Sequence, residues 1–164
     1  MDNKNNPTSL RIAGGQLIEA RRNALSVWGP HRMEAVGSVA DVLYINDSRA
    51  TFLDATLESL ATLDRRTVWI VGAWSTEMGE EHVQALIRER VSAVVLHGVL
   101  EPGAEETLPE HVYRTDELRT AVFMARELAQ AGDVVLYSPA CPSGNGFANY
   151  EERGAEFKRA VKDL

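Results

Sequence analysis

Three runs of consecutive, mostly apolar residues constrain this chain most: 67–72 (TVWIVG), 92–98 (SAVVLHG) and 133–138 (DVVLYS), with helix-periodic stretches between them. A strand that is apolar on both faces must be covered on both, and a sheet with helices above and below does this. Alternation of such strands with helices makes the sheet mainly parallel. The spacing predicts helices over 51–63, 80–90, 115–131 and 150–164, the third with Leu118, Ala121, Val122, Ala125, Leu128 and Ala129 recurring at turn spacing. Thr51 followed by Asp54 imitates a capping box, and Thr115 stands as a cap with Asp116 and Glu117 in the first turn. Residues 33–39 and 42–46 read as a hairpin around Ala40-Asp41, and 111–114 as a short edge-like strand. A further helix over 15–28 is stopped by Gly29-Pro30, although Arg21-Arg22-Asn23 interrupts its apolar stripe. The expected fold is α/β: a three-layer, doubly wound domain whose mainly parallel sheet carries an antiparallel edge hairpin.

A length of 164 residues suits one domain. Residues 1–30 read as a tail or linker, and 31–164 as the domain. No stretch reaches the ~18 apolar residues of a membrane span, and the first residues lack the apolar core of a secretory leader. Cys141 is the one cysteine, which excludes an internal disulfide and fits the cytoplasm. The net charge of −7 divides into +3 over 1–32 and −10 over 33–164. Such an acidic body repels nucleic acid and anionic lipid, and no run of Lys or Arg supplies a local exception. Small molecules or proteins remain as partners.

In doubly wound sheets ligands bind outside the carboxyl ends of the strands. That rule selects the loops 47–50, 73–79, the turn after Gly98, 114–115 and 139–148. The first holds Asp47, Ser48 and Arg49 ahead of Thr51. Between a strand end and a helix start, these groups suit an anion or a ribose, or else only cap the helix. The loop 72–79 has glycines at both ends but no lysine, and no G-x-x-x-x-G-K-[ST] occurs in the chain, so it reads as a connector. The loop 138–147 is rich in Pro, Gly and small residues, which lets a ligand approach its backbone. Cys141 has no histidine near it in sequence and reads as a buried thiol. His31, His82, His97 and His111 match no metal spacing. The acid pairs 80–81, 105–106 and 151–152 read as partners of helix dipoles.

Four segments taken together, 31–34 (HRME), 44–51 (YINDSRAT), 132–143 (GDVVLYSPACPS) and 149–154 (NYEERG), resemble the C-terminal domain of the Mur ligases, in its D-glutamate-adding branch. The likeness runs in order from about residue 31 to 164. It implies a Rossmann-like fold and a role in peptidoglycan-precursor synthesis. Ligases of this kind activate a muramoyl carboxylate with ATP and magnesium, and the amino group of D-glutamate then attacks it. By the resemblance Arg32 and Asp47 match nucleotide-contacting residues, while Arg49, Thr51, Ser143, Phe147 and Tyr150 match the region receiving D-glutamate. No catalytic or metal-holding residue is carried over.

The departures are also specific. Arg49 stands where the family has lysine, and the two are not equivalent at a tight site. Thr76, followed by Glu77, stands where a glycine-rich loop usually presents a lysine to the amino acid. Cys-Pro-Ser over 141–143 replaces Cys-Ala-Ser. The parts that bind the uridine nucleotide and ATP are absent from the sequence, so ATP and magnesium are expected only with a partner that supplies them. Three readings follow. In the first, the chain serves a ligase body, in trans or as a split subunit, binding D-glutamate or the UDP-muramoyl precursor. In the second it is a non-catalytic binding or regulatory module on another cell-wall enzyme, and in the third a decayed product that folds without a function.

Overall fold

The computed structural model describes residues 29–164, so the expected helix over 15–28 and the tail lie outside the described residues. Strands β1 (Glu34–Val39), β2 (Val42–Asn46), β3 (Thr67–Trp74), β4 (Val91–Leu100), β5 (Val112–Arg114) and β6 (Val134–Tyr137) form one sheet in the order β1-β2-β6-β3-β4-β5. Only the β1–β2 pair is antiparallel. Its turn puts Ala40 and Asp41 both at positive φ, the backbone that a tight two-residue hairpin loop requires.

Helices α1 (Leu53–Thr62) and α2 (Glu81–Arg90) cover one face, and α3 (Leu118–Leu128) and α4 (Tyr150–Lys162) cover the other. The period of two sorts β3 between them: Trp69 and Val71 pack toward α1 and α2, Val68 and Ile70 toward α3 and α4. Both layers are therefore filled from the same unbroken runs, as expected of strands buried on two sides. Burial of Trp69, Ile70, Val95, Leu96, Val135 and Leu136 is complete.

The expected caps are corrected. Helix α1 begins at Leu53 behind an extended Phe52, with no side-chain cap, so Thr51 and Asp54 form no capping box. Helix α3 begins at Leu118, not Thr115; Asp116 and Glu117 precede it, and Thr115 Oγ1 accepts from the Glu117 amide to shape the turn before the helix. The working cap belongs to α4, where Asn149 accepts from the Glu152 amide at 2.9 Å while Glu152 accepts from the Ala148 amide.

Candidate functional site

Strands β2 and β6 lie side by side, yet β2 leads to α1 on one face and β6 to α4 on the other. Their exits diverge and open a crevice at the carboxyl edge. Asp47 follows β2 directly. It is wholly buried, accepting from the Met33 amide (3.1 Å), Ser59 Oγ (2.6 Å) and Ser138 Oγ (2.7 Å). Burial pushes its pKa up against the opposing effect of these donors. Asp47 thus ties the residue before β1, α1 and the exit of β6 to one point.

A second cluster stands beside it. His31 Nδ1 lies 3.2 Å from Ser48 Oγ and 3.0 Å from Asn46 Nδ2, and Asn46 also donates to Glu34 at 2.9 Å. Lys158 of α4 pairs with Glu34 at 3.2 Å. Burial, then the Lys158 charge, lowers the His31 pKa; burial alone would raise that of Glu34, but bonds from Asn46, the His31 amide and Lys158 hold it down. This closeness needs Gly154, since a Cβ there would lie 2.2 Å from His31 Nδ1 and 2.3 Å from Ser48 Oγ.

Arg153 joins the two sides of the crevice. It is 3% exposed, and its guanidinium donates to the carbonyl oxygens of Ser48 (3.2 and 2.9 Å) and Cys141 (2.8 Å), with Cys141 Sγ 4.0 Å away. All of these partners are neutral. Burial raises the Cys141 thiol pKa, opposed by Arg153, which suits a packing role for that residue.

The residues matched to the D-glutamate region gather around this crevice unevenly. Arg49 is exposed, with its guanidinium carbon 5.9 Å from the centroid of the Tyr150 ring, whose edge meets His31. Thr51 is half-buried just before α1; Ser143 and Phe147 are half-buried in the loop between β6 and α4. Phe147 also packs against the α3–α4 side of the core. Arg32 is half-buried and pairs with Glu58 of α1 at 3.2 Å. In the segment 73–79 Trp74 is fully buried against Trp69, and the Thr76 amide donates to Glu101 at 2.6 Å.

Three features were missed in the sequence. Arg153 sits in the first turns of α4, where the helix dipole disfavours a cation, and that mismatch was the available signal. His97 interrupts an otherwise apolar strand. The third is a hollow of about 540 Å³ at the amino ends of β3 and β4, where Arg65, Arg66, Arg88 and Arg90 meet although no run in the sequence announces them. Arg66 pairs with Asp133, Arg88 with Glu81 and Arg90 with Glu89, and Arg90 also donates to the Leu63 carbonyl.

His97 offers a direct test of the packing at this edge. Burial, with the Arg153 charge, lowers its pKa to about 4 from 6.5. The unfolded chain then binds the additional proton between these values. The stabilisation is complete above pH 6.5 and is lost as the pH falls to about 4, by about 3 kcal/mol. Urea unfolding across this range should show wild type losing that much more than His97→Gln, which does not ionise; parallel curves would refute the burial of a neutral ring.

Comparison with known proteins adds a further observation. Residues 31–141 match the family described as Mur ligase, glutamate ligase domain. The UDP-N-acetylmuramoylalanine--D-glutamate ligase of Salinibacter ruber is 42% identical over 139 residues, covering 82% of this chain and 30% of the relative. The enzymes of the same description from Christiangramia forsetii and Chlorobaculum parvum are 39% and 35% identical, covering 82% and 93% of this chain and 31% and 33% of theirs. The chain spans about a third of the length of these curated relatives.

Proposed function

The chain belongs to the Mur ligase family by its glutamate ligase domain, and from that premise we propose that it is the part of a D-glutamate-adding ligase that contacts the amino acid and the nucleotide. It acts in the cytoplasm on peptidoglycan precursors, together with nucleotide-binding and ATPase parts that these 164 residues do not contain, in trans or as a split subunit. One observation carries this reading: the matched stretch includes His31 and Arg32, just before β1, and Asp47, Arg49 and Thr51, between the end of β2 and α1.

In this reading Arg49 and the hydroxyls of Thr51 and Ser143 receive the carboxylates of D-glutamate, with Phe147 and Tyr150 closing over its apolar stem. Arg32 faces the nucleotide. Asp47 holds the Met33 amide, and so sets the backbone from which Arg32 projects. Among the described residues no group of three His, Cys, Asp or Glu side chains is placed to hold a metal ion.

The test is reconstitution. The purified chain is mixed with a D-glutamate-adding ligase truncated before its C-terminal domain, and supplied with ATP, magnesium, the muramoyl nucleotide and D-glutamate. ATP-dependent addition of D-glutamate is expected to return, and Arg49→Ala should reduce it about tenfold or more, the loss of one charge-assisted hydrogen bond. A folded chain that restores nothing refutes the reading. The regulatory alternative draws on the loop at Thr76, where Glu77 and the Glu101 carboxylate stand instead of a cation. It predicts no calorimetric binding of D-glutamate, with association to a ligase retained.

A further inference from the structure

The sheet has a second place where neighbouring exits part. Beyond β4 the chain packs Ala104 and Leu108 on the α1–α2 side, whereas β5 leads to α3 on the opposite side. Such divergence creates a ligand crevice by the same rule as between β2 and β6. A cavity of about 380 Å³ opens there, bounded by the end of β4, the start of α3, the loop between β6 and α4, and α4 itself.

His97 lines this cavity. It is 4% exposed, and its Nε2 is buried with no hydrogen-bond partner. Its ring packs 5.7 Å from that of Tyr137, whose hydroxyl is likewise buried and unpartnered. Two orphaned buried polar groups are costly unless something meets them, at about 1–3 kcal/mol for each. Apolar wall comes from Leu118 and Phe147, with Asn145 at the rim.

The charge of the lining is one-sided. Arg119 is the sole base and is already held by Glu156 and Asp163, and Glu156 also takes Arg159. Asp116 and Glu117 pair with no cation among the described residues; Glu117 accepts only from the Thr120 hydroxyl. Two carboxylates without a paired cation thus line the same cavity as His97, beside an apolar wall.

We propose that this crevice is a second binding site, sharing only the Phe147 side chain with the one between β2 and β6, for a small organic ammonium or amidinium ligand with an apolar body. The charged head sits between Asp116 and Glu117 and donates to His97; the body lies on Leu118 and Phe147. Neutral imidazole can accept from such a donor, and the carboxylates supply the charge preference. The site needs none of the ligase chemistry and stands or falls independently of it.

The probe is n-pentylammonium, titrated at pH 7 into the full 164-residue chain, with 1-pentanol and pentanoate as neutral and anionic counterparts. Nuclear magnetic resonance should show saturable shifts at the His97 ring and at the amides of Gly98, Leu118, Asn145 and Phe147. Pentanol should bind about tenfold more weakly, and pentanoate not at all. Glu117→Gln should cost about tenfold in affinity and His97→Leu should abolish binding, whereas His97→Gln keeps an acceptor and should stay within about threefold of wild type. The surface change Asp116→Asn gives the same reading if His97 variants fold poorly. Pentanoate binding as tightly as pentylammonium overturns the proposal. So do non-saturating shifts spread over the acidic surface, or affinities indifferent to both carboxylates.

Discussion

Arg153→Ala is expected to lower the unfolding free energy by about 3–5 kcal/mol, the largest effect of any single side chain at the carboxyl edge. Two effects oppose each other at this position. Burying a guanidinium whose partners are all neutral carries a desolvation cost, and truncation removes that cost. Truncation also strips the buried Ser48 carbonyl and the Cys141 carbonyl of their donors and leaves a void the length of an arginine between two loops. The second effect wins because a planar fork reaching both carbonyls at 2.8–3.2 Å has no replacement nearby. Arg153→Lys should recover little, since one ammonium cannot span both loops as the fork does. Arg153→Met separates volume from hydrogen bonding and should cost about 2–3 kcal/mol. Chemical unfolding with an unchanged denaturant slope measures all three. A methionine variant as stable as wild type would show that desolvation cancels the hydrogen bonds.

Gly98→Ala is the second. A Cβ at this position would meet the Gly72 carbonyl oxygen at 2.0 Å and Asn145 Nδ2 at 2.7 Å. The first obstacle is backbone of the neighbouring strand β3, which cannot rotate away, so β3 and β4 must separate at the irregularity in their pairing between Val71 and Ala73. The expected cost is about 3 kcal/mol, at the upper end for overpacking. Gly144→Ala is the control, for nothing lies within 4 Å of its Cβ. It should change stability by under about 1 kcal/mol. Thermal unfolding of the pair decides the matter, and equal midpoints would refute the close approach of the two strands.

The legibility of this chain differed between strands, caps and site. The runs at 67–72, 92–98 and 133–138 announced doubly covered strands because burial on both faces leaves no room for polar alternation. The structure extends the first to Trp74 and the second to Leu100. Caps were less legible. A threonine with an acid three residues later looks the same at 51–54 whether or not it caps. Which residue caps depends on where the backbone turns from extended to helical, and packing placed that point at Phe52 and Glu117. Asn149 and Glu152 capped a helix that the sequence reading had credited only with acids suited to its dipole.

The site shows the same division. That the loops at 47–50 and 139–148 share one edge follows from parallel connection alone. The burial of Asp47 behind Ser59 and Ser138 does not follow, because those partners lie 12 and 91 residues away. Arg153 reaching Ser48 across 105 residues is of the same kind.

By itself, then, the order of apolar runs and turn spacings determined a layered sheet, the direction of its strands and the edge where polar loops collect, since each follows from local pattern and from the need to cover apolar faces. Only the folded chain decided which of those polar groups became internal ties and which stayed accessible. That choice depends on distances between segments far apart in sequence, and on the free energy of burying a charge or an imidazole among them.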